Sequence, residues 1–531
     1  MTFVSFAFVI FCAVTACAYF LVPRNYRWAV LLVASYVFYW INSHWLVLVL
    51  LAATLITYYI GQGISDINAR SKQKLSEGAF SREEKKAIRD EAKKKAGTLL
   101  TVGIILDLGM LLFLKYFNFF AENVNGLIAL FGVSARIPGH HLLLPLGISF
   151  YTLQAIAYMV DISRGKYEAD RHLGKFMLFM SFFPQIVQGP IARHNQLAEQ
   201  LYEGHAFDYT RLCHGIQLMM WGWIKKMIIA DRVDIPVSKI FNNYAQYRGP
   251  IVFFAAALYG VQVYSDFSGG MDIARGFAQI LGIEMELNFR QPYFSTSIEE
   301  FWRRWHITLG SWMRDYIFYP LSLSKAFGNL SKKTRNLLGQ FVGKRLPSFL
   351  AMFIVYLLVG FWHGSSWKYV AYGIWNGVFI MSGILLEEVY GKMKEKAGVD
   401  SDAIGWRVFQ MVRTFLIVSA GRILSKALSL RAALGMFRNM FMQWWDVSYL
   451  LDGSLKKLGL DTANWFLLAV FILILFLVDY VHEKDVRIRE TISQQYIIFR
   501  WIIYIAAILA ILVFGIYGPE YDAASFIYEQ F

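Results

Sequence analysis

Residues 347–364 read PSFLAMFIVYLLVGFWHG, an apolar run that ends in an ionisable side chain, His363. Pro347 is tolerated in the first turn of a helix, so we expect a membrane helix to begin there. At about 1.5 Å per residue this helix is roughly 22 Å long at Trp362, against a hydrocarbon core of roughly 30 Å, which places His363 inside the membrane. Residues 364–366, Gly-Ser-Ser, then interrupt the apolar sequence, and non-helical backbone at that depth requires surrounding protein or a water-filled cavity. The stretch predicts a membrane fold with either a functional imidazole beside a cavity or a histidine hydrogen-bonded between helices.

The composition indicates the same class of protein. Of 531 residues, 57% are apolar and 17% charged, and apolar runs near the length of a membrane helix recur along the chain. We therefore predict a single all-α polytopic membrane domain over residues 1–531, with 3–22 retained as its first helix. The predicted spans are 3–22, 28–41, 44–62, 97–119, 142–161, 249–267, 348–362, 368–388, 408–424, 463–480 and 498–517.

The net charge of +14 does not indicate nucleic-acid binding, because the basic residues concentrate in short connections between spans. Residues 63–96 are predicted to be a basic cytoplasmic loop, in part an interfacial or solvated helix, and residues 321–345 carry six basic and no acidic side chains. By the positive-inside rule both connections face the cytoplasm. This orientation places the N-terminus outside, and it also places outside the tail 518–531, which has three acidic and no basic residues.

Two apolar segments contain residues that a simple span would not. Residues 176–191 include Pro184 and a Gly-Pro pair, which predicts a broken or re-entrant helix. Residues 212–230 are predicted to end at the cytoplasmic surface, where Lys225 and Lys226 extend to the headgroups. The sequence shows neither an internal repeat nor paired intramembrane charges, two features that would favour a secondary transporter.

A second cluster of aromatic and ionisable residues is FSTSIEEFWRRWHITLGSWMRDYIFYPL, residues 294–321. Either Ser297 or Thr296 as the N-cap, with Glu299 and Glu300 in the first turn, predicts the start of a helix. On that helix His306 is four positions after Trp302 and three after Arg303, so the three side chains should share one face. The alternative is an aromatic-rich helix at the membrane interface whose arginines reach the headgroups.

Five strings, in order along the chain, resemble the signature of the membrane-bound O-acyltransferases, particularly their bacterial alginate O-acetyltransferase branch. They are LPLGISFYTLQ (144–154), FFPQIVQGPIAR (182–193), YSDFSGGMDIARG (264–276), FWRRWHITLGSWMRDYIFYPL (301–321) and FWHG (361–364). The similarity covers nearly the whole chain and places a catalytic motif region at 295–364.

The resemblance implies a ring of tilted transmembrane and re-entrant helices around a central tunnel in the bacterial cell membrane. An acyl thioester, expected to be acetyl-CoA, would enter this tunnel from the cytoplasm. By motif position His363 is the family's signature histidine, and His306 is its companion on the tunnel wall. A histidine suits the role of a general base that takes the proton from an attacking hydroxyl.

Other residues of these motifs could support the two histidines. Either His306 or Asn376 could orient the reacting groups, and Arg314 and Asp315 could equally form a local ion pair. A zinc ion shared by His306 and His363 is the sharper alternative, disfavoured because catalytic zinc normally has three protein ligands. We expect no bound metal or cofactor. The remaining tunnel or support candidates are Trp302, Arg303, Trp305, Arg314, Asp315 and Trp362.

The tail ends in FIYEQF, residues 526–531. It resembles the C-terminal aromatic-tyrosine motif of some envelope acyltransferases and of the small peptide that accompanies the teichoic-acid D-alanylation enzyme. The likeness implies that Tyr528 carries the acyl group, and the alternative is a frayed tail held at the interface by its aromatic residues. An extracellular or periplasmic esterase-like partner protein would then receive the acyl group and place it on a polysaccharide.

Several functions remain open at this point. The leading one is transfer of an acetyl group from cytoplasmic acetyl-CoA across the membrane to an extracellular or cell-wall polysaccharide. A D-alanyl or longer-chain acyl donor is the alternative within the same family. A secondary transporter and a non-catalytic assembly scaffold are the alternatives outside it.

Overall fold

The computed structural model describes residues 1–133, 135–140 and 143–517. Within these ranges the protein is helical, and its only strand-like feature is an isolated antiparallel bridge between Phe289 and Trp305. This confirms the prediction of an all-α fold. The helices are α1 Phe6–Leu21, α2 Arg27–Ser43, α3 Val47–Glu77, α4 Arg82–Leu111, α5 Phe117–Leu130, α6 Ile148–Ser163, α7 Leu173–Ser181, α8 Phe183–Ile186, α9 His194–Tyr202, α10 Tyr209–Trp223, α11 Asp231–Asn242, α12 Pro250–Ile280, α13 Ile298–Arg304, α14 Ile307–Met313, α15 Tyr319–Ser322, α16 Lys325–His363, α17 Trp367–Leu385, α18 Glu387–Lys396, α19 Ile404–Lys426, α20 Leu430–Phe441, α21 Ser448–Leu451, α22 Thr462–Glu483, α23 Ile488–Ser493 and α24 Ile497–Phe514.

In the described ranges, seven helical segments are long and apolar enough to cross a membrane, and eight if the bent pair α17–α18 is one span. Each predicted span coincides with a helix, but some of these helices, such as the 16-residue α1, are too short to be counted. The chain is therefore a multi-pass membrane protein. The seven segments are Arg24–Glu77, Arg82–Leu130, Pro250–Ile280, Arg345–His363, Ile404–Lys426, Thr462–Glu483 and Ile497–Phe514.

The chain divides into two compact units where the sequence suggests one domain. The first unit comprises Met1–Ile216 and Ala274–Glu286, and the second comprises Gln217–Ile273 and Leu287–Phe531. All the described candidate site residues belong to the second unit.

A broken helix lies in the first unit, as predicted for residues 176–191. One residue, Phe182, separates the end of α7 from the start of α8. Side chains of other helices replace the backbone hydrogen bonds that are lost at this break. The Phe183 N–H donates to Ser35 Oγ over 3.2 Å, and Gln154 Nε2 donates to the Phe179 carbonyl over 2.8 Å. The break is stable because its polar backbone groups are satisfied inside the protein.

The basic segment 63–96, also in the first unit, is mostly helical, as expected for the interfacial or solvated helix predicted in this connection, and helix covers more of it than the sequence suggests. Helix α3 continues to Glu77 and α4 begins at Arg82. A capping box starts α4: Ser81 Oγ accepts from the Glu84 N–H over 3.2 Å, and the Glu84 carboxylate accepts from the Ser81 N–H over 2.9 Å. Lysine, glutamate and alanine, which make the segment polar, are also strong helix formers.

Helix α16 of the second unit begins earlier than the sequence suggests. It runs from Lys325 to His363, includes Pro347, and departs from helical geometry at Gly339, where φ is 77°. The membrane-spanning part is Arg345–His363. The helix therefore starts before Pro347, but its membrane-spanning part begins within two residues of the predicted start.

Helices α16 and α17 approach each other through glycines. A Cβ atom on Gly360 would overlap the carbonyl oxygen of Tyr369, and one on Gly373 would overlap the carbonyl oxygen of Tyr356. The two backbones are therefore in direct contact, as small residues allow between membrane helices. This contact fixes the end of α16, which carries His363, against the first turns of α17.

Lys225 and Lys226 do not extend to a membrane surface, contrary to the prediction. Both are buried in a π-helical turn, Ile224–Ala230, that continues into α11. Lys226 Nζ lies 2.6 Å from Asp266 and 2.9 Å from Asp231, and Lys225 Nζ lies 2.7 Å from an aspartate of α12, Asp272. Buried charges are thus paired in this unit, which the sequence alone did not indicate.

Candidate active site

The backbone at His306 is left-handed, with φ 46° and ψ 52°. Helix α13 begins at the predicted cap, Ser297, whose Oγ accepts from the Glu300 N–H over 3.1 Å, but it ends at Arg304. His306 therefore does not share a helical face with Trp302, and that prediction is wrong.

The segment 288–290 holds His306 in this conformation from both sides. The Arg290 N–H donates to the Arg304 carbonyl over 3.0 Å, and the Ile307 N–H donates to the Asn288 carbonyl over 3.1 Å. Asn288 Oδ1 also accepts from the N–H of Thr308 over 2.8 Å. A non-glycine residue in this region is strained by on the order of 1–3 kcal/mol, and such strain is concentrated at functional sites.

His363 is the last residue of α16 and is 8% exposed. Its ring centroid lies 5.0 Å from that of Trp362 and 5.9 Å from that of Tyr372 on α17. The contact of α16 with α17 places the imidazole beside this tyrosine. Protein therefore surrounds the ring at the end of the membrane span.

Trp362 connects the two histidines. The His306 ring, 1% exposed, lies 5.7 Å from Trp362 and 4.9 Å from Phe267, centroid to centroid. Burial lowers the pKa of His306 well below 6.5, and the nearby His363 lowers it further. The structure thus brings together the two predicted histidines, with His306 neutral at pH 7, while their catalytic roles remain a prediction.

Trp302 and Asn376 form a buried link below this cluster. Trp302 Nε1 donates to Asn376 Oδ1 over 3.3 Å, and Asn376 Nδ2 donates to the Tyr372 carbonyl over 2.8 Å. Asn376 is thereby connected to the turn of α17 that contacts His363. It is well placed to position that turn.

Three predicted support residues lie away from the histidines. Arg303 is exposed and pairs with Glu299 at 3.4 Å, and Arg314 Nε lies 3.0 Å from Asp315 Oδ1. The arrangement of Arg314 and Asp315 is the local ion pair that the sequence left open. Tyr528 lies outside the described residues.

Arg422 is a site residue that the sequence analysis missed. It lies on α19 and is 3% exposed, and its Cζ is 4.3 Å from the centroid of the Trp305 ring. Trp305 in turn stacks on Phe301 at 5.4 Å. The signal available in the sequence was an arginine within an apolar span, a residue type that is rare there without a function.

A cavity of about 1030 Å³ lies within the second unit, lined by residues other than the two histidines and their aromatic neighbours. It lies among the start of α13 and helices α17, α18 and α19, and it contains both basic side chains, Arg413 and Lys394, and acidic ones, Glu299 and Glu387. Its inner residues on α13 and α17 lie about one helical turn from Trp302 and Asn376. Within the described ranges, no three His, Cys, Asp or Glu side chains are close enough to hold a metal ion.

The apolar spans and the buried histidine pair belong to an integral-membrane protein, and comparisons with known proteins identify its kind. Residues 168–418 match the sequence pattern of MBOAT, the membrane-bound O-acyltransferase family. The chain is 33% identical over 447 residues to the probable alginate O-acetylase AlgI of Azotobacter vinelandii, covering 84% of this chain and 79% of that protein.

Two other relatives share less of the chain. The peptidoglycan O-acetyltransferase of Helicobacter pylori is 27% identical over 64% of this chain and 64% of its own length. The teichoic acid D-alanyltransferase of Streptococcus thermophilus is 28% identical over 49% of this chain and 60% of its own length.

The chain belongs to the membrane-bound O-acyltransferase family. Within that family it falls in the branch of the alginate O-acetylases. It is therefore an O-acyltransferase, and the paired charges at Lys225 and Lys226 are part of an enzyme rather than evidence for a transporter.

Proposed function

We propose that this O-acyltransferase moves an acetyl group from cytoplasmic acetyl-CoA across the bacterial cell membrane for O-acetylation of an extracellular or cell-wall polysaccharide. The relatives named for acetyl transfer support the acetyl group, because one of them covers 84% of this chain, whereas the D-alanyltransferase covers 49%. The observation that carries the proposal is the buried contact of His306 and His363 through Trp362.

The cavity beside α13 is the proposed donor site. Its volume of about 1030 Å³ is at the upper end of typical small-molecule sites, as a coenzyme thioester requires. Arg345, at the start of the membrane span of α16, lies 4.0 Å from Glu388 on α18, next to the cavity wall. Because Arg345 ends the basic connection 321–345, the positive-inside rule supports a cytoplasmic opening.

His363 is the proposed general base. The acceptor hydroxyl oxygen attacks the thioester carbonyl carbon while the imidazole takes the hydroxyl proton. The tetrahedral intermediate then collapses, the carbon–sulfur bond breaks, and the CoA thiolate receives the proton from the imidazolium. His306, kept neutral by burial, adds no second positive charge that would make His363 a weaker base.

Labelled acetyl-CoA supplied to inside-out membrane vesicles tests this proposal. We expect acetyl label in polysaccharide or in a luminal acceptor protein, and a loss of roughly 10²- to 10⁴-fold in His363→Ala. His140→Ala, which changes an exposed histidine, is the matched control and should transfer normally. Equal transfer by wild type and His363→Ala would contradict the proposal, and labelling from a D-alanyl donor instead of acetyl-CoA would assign the other acyl group.

We further propose that an extracytoplasmic esterase-like protein receives the acetyl group, with Tyr528 as an intermediate carrier on the outward-facing tail. Rapid quenching followed by peptide mass analysis should then find acetyl on Tyr528. Transfer that proceeds with label elsewhere and an active Tyr528→Phe variant would rule out the carrier, without affecting the role of His363.

A further inference from the structure

Arg422 is a buried cation whose charge the described protein does not neutralise. Its side chain is 3% exposed within the membrane-spanning helix α19. Its guanidinium donates no hydrogen bond and forms no ion pair to any residue in the described ranges, and Nε is fully enclosed. A buried charge without a partner is unfavourable, so Arg422 requires an explanation.

The other buried cations of the same unit differ from Arg422. Lys226 pairs with two aspartates, at 2.6 and 2.9 Å, and Lys225 pairs with Asp272 at 2.7 Å. Arg232 donates to Asn464 Oδ1 over 2.9 Å and to two backbone carbonyls over 2.8 and 3.0 Å. Arg422 is therefore the exception among the buried lysines and arginines that the structure describes in this unit.

Arg422 contacts one side of the histidine cluster and lies within electrostatic range of the other. Its Cζ lies over Trp305, the neighbour of His306 in the chain, at 4.3 Å from the ring centroid. It is also close enough to act electrostatically on Tyr372, whose ring contacts His363. Together with the link through Trp362, these contacts bring the guanidinium and both imidazoles around one region.

The aromatic neighbours hold the guanidinium without neutralising it. Trp305 presents its ring face to the cation. Tyr293, on which Arg422 acts electrostatically, donates its hydroxyl proton to the Gly260 carbonyl over 2.5 Å and so does not neutralise the guanidinium. A cation–π contact fixes the position of a guanidinium but leaves its N–H donors available. Such a preorganised charge in a site that excludes water is what stabilises a developing anion most strongly.

We propose that Arg422 stabilises the oxyanion of the tetrahedral intermediate. This inference rests on the proposed thioester reaction. When the acceptor oxygen bonds to the carbonyl carbon, the carbonyl π electrons move to oxygen, and the guanidinium donates hydrogen bonds to that oxygen. The electron pair returns as the carbon–sulfur bond breaks, so Arg422 neither gains nor loses a proton.

The phosphates of the coenzyme are a less suitable partner for Arg422. The donor cavity has its own basic residue on the same helix, Arg413, which lies on the order of 13 Å from Arg422 along the axis of α19. The two arginines thus serve different parts of one thioester, with Arg413 at the cavity and Arg422 beside the histidines.

Steady-state kinetics in inside-out membrane vesicles, which retain the acceptor on their luminal side, tests the inference, with release of the CoA thiol from acetyl-CoA as the measure of turnover. Arg422→Met keeps the length and packing of the side chain but removes its charge, so kcat should fall about 10²- to 10³-fold with KM for acetyl-CoA changed less than threefold. Arg422→Lys should keep more activity than Arg422→Met, and added ethylguanidinium should raise the kcat of Arg422→Ala. Arg407→Met, an exposed residue of α19, is the matched control.

Three outcomes would overturn the role of Arg422. The first is a kcat near wild type in Arg422→Met, and the second is an increase in KM alone in that variant. The third is an equal loss of kcat in the Met and Lys variants, with the same fall in melting temperature and no rescue by ethylguanidinium. The comparison of wild type with His363→Ala reports separately on the proposed reaction. If wild type releases no more thiol than His363→Ala, the reaction itself is refuted.

Discussion

Replacing Lys226 by methionine should strongly destabilise the protein. Its ammonium group contacts the carboxylates of Asp266 and Asp231 at 2.6 and 2.9 Å, and the three side chains are only 2–3% exposed. Burial would lower the pKa of Lys226, but the two aspartates outweigh burial and raise it. The methionine variant removes the ammonium group that both buried carboxylates contact.

Removing one partner of a buried ion pair lowers the free energy of unfolding by about 3–5 kcal/mol, and we expect that range for Lys226→Met. Changing Asp231 and Asp266 to asparagine in the same variant removes the uncompensated charge. The triple variant should therefore recover most of the loss, because neutral groups of similar volume often replace a buried ion pair with little change in stability.

The assay is reversible urea unfolding in mild detergent, followed by tryptophan fluorescence. Lys332→Met, an exposed lysine of α16, is the control and should change the free energy of unfolding by less than about 0.5 kcal/mol. A loss below about 1 kcal/mol in Lys226→Met, or a triple variant no more stable than the single one, would refute this account of the buried charges.

Three further predictions concern α16, α13 and the histidine pair. Gly360→Ala should lower the free energy of unfolding by about 1–3 kcal/mol and reduce kcat, since the added Cβ forces α16 from α17, whereas Gly383→Ala, with open space around it, should do neither in a melting and turnover assay. Burial raises the pKa of Glu300, but hydrogen bonds from Thr296 and the charge of Arg304 outweigh burial and lower the pKa below 4.5. The ionised carboxylate should therefore stabilise the fold above about pH 4.3, and this stabilisation should be lost as the pH falls through the folded pKa. In Glu300→Gln, the free energy of unfolding should no longer show this decrease at acid pH. Because burial lowers the pKa of His306, only the unfolded chain binds a proton there as the pH falls below about 6.5. The free energy of unfolding should then fall by about 1.4 kcal/mol per pH unit. Urea titrations at several pH values should show this slope in wild type and not in His306→Asn.

Much of the fold could be predicted from local sequence, whereas the pairing of the two histidines was implied by the family resemblance. Apolar runs correspond to helices because a membrane segment must satisfy its own backbone hydrogen bonds. The start of α13 at Ser297 could also be predicted, because the cap and the backbone groups that it satisfies are close together in the sequence.

Features that depend on distant residues could not be read in this way. The left-handed turn at His306 is held by Asn288 and Arg290, which lie outside the motif that contains the histidine. The burial of Lys226 depends on Asp266, forty positions away on α12. The sequence shows Arg422 as an arginine within an apolar span, but not its contact with Trp305, which lies more than a hundred positions away.

At His306 the residue that would give the most stable backbone differs from the residue that the proposed chemistry requires. Glycine there would relax the strained dihedrals, and asparagine would tolerate them, but either would delete the imidazole. Laboratory evolution for heat resistance alone should therefore drift towards glycine or asparagine at this codon, and the proposed role of the histidine pair predicts that such variants lose turnover. A screen for improved variants has to demand acetyl transfer in every round.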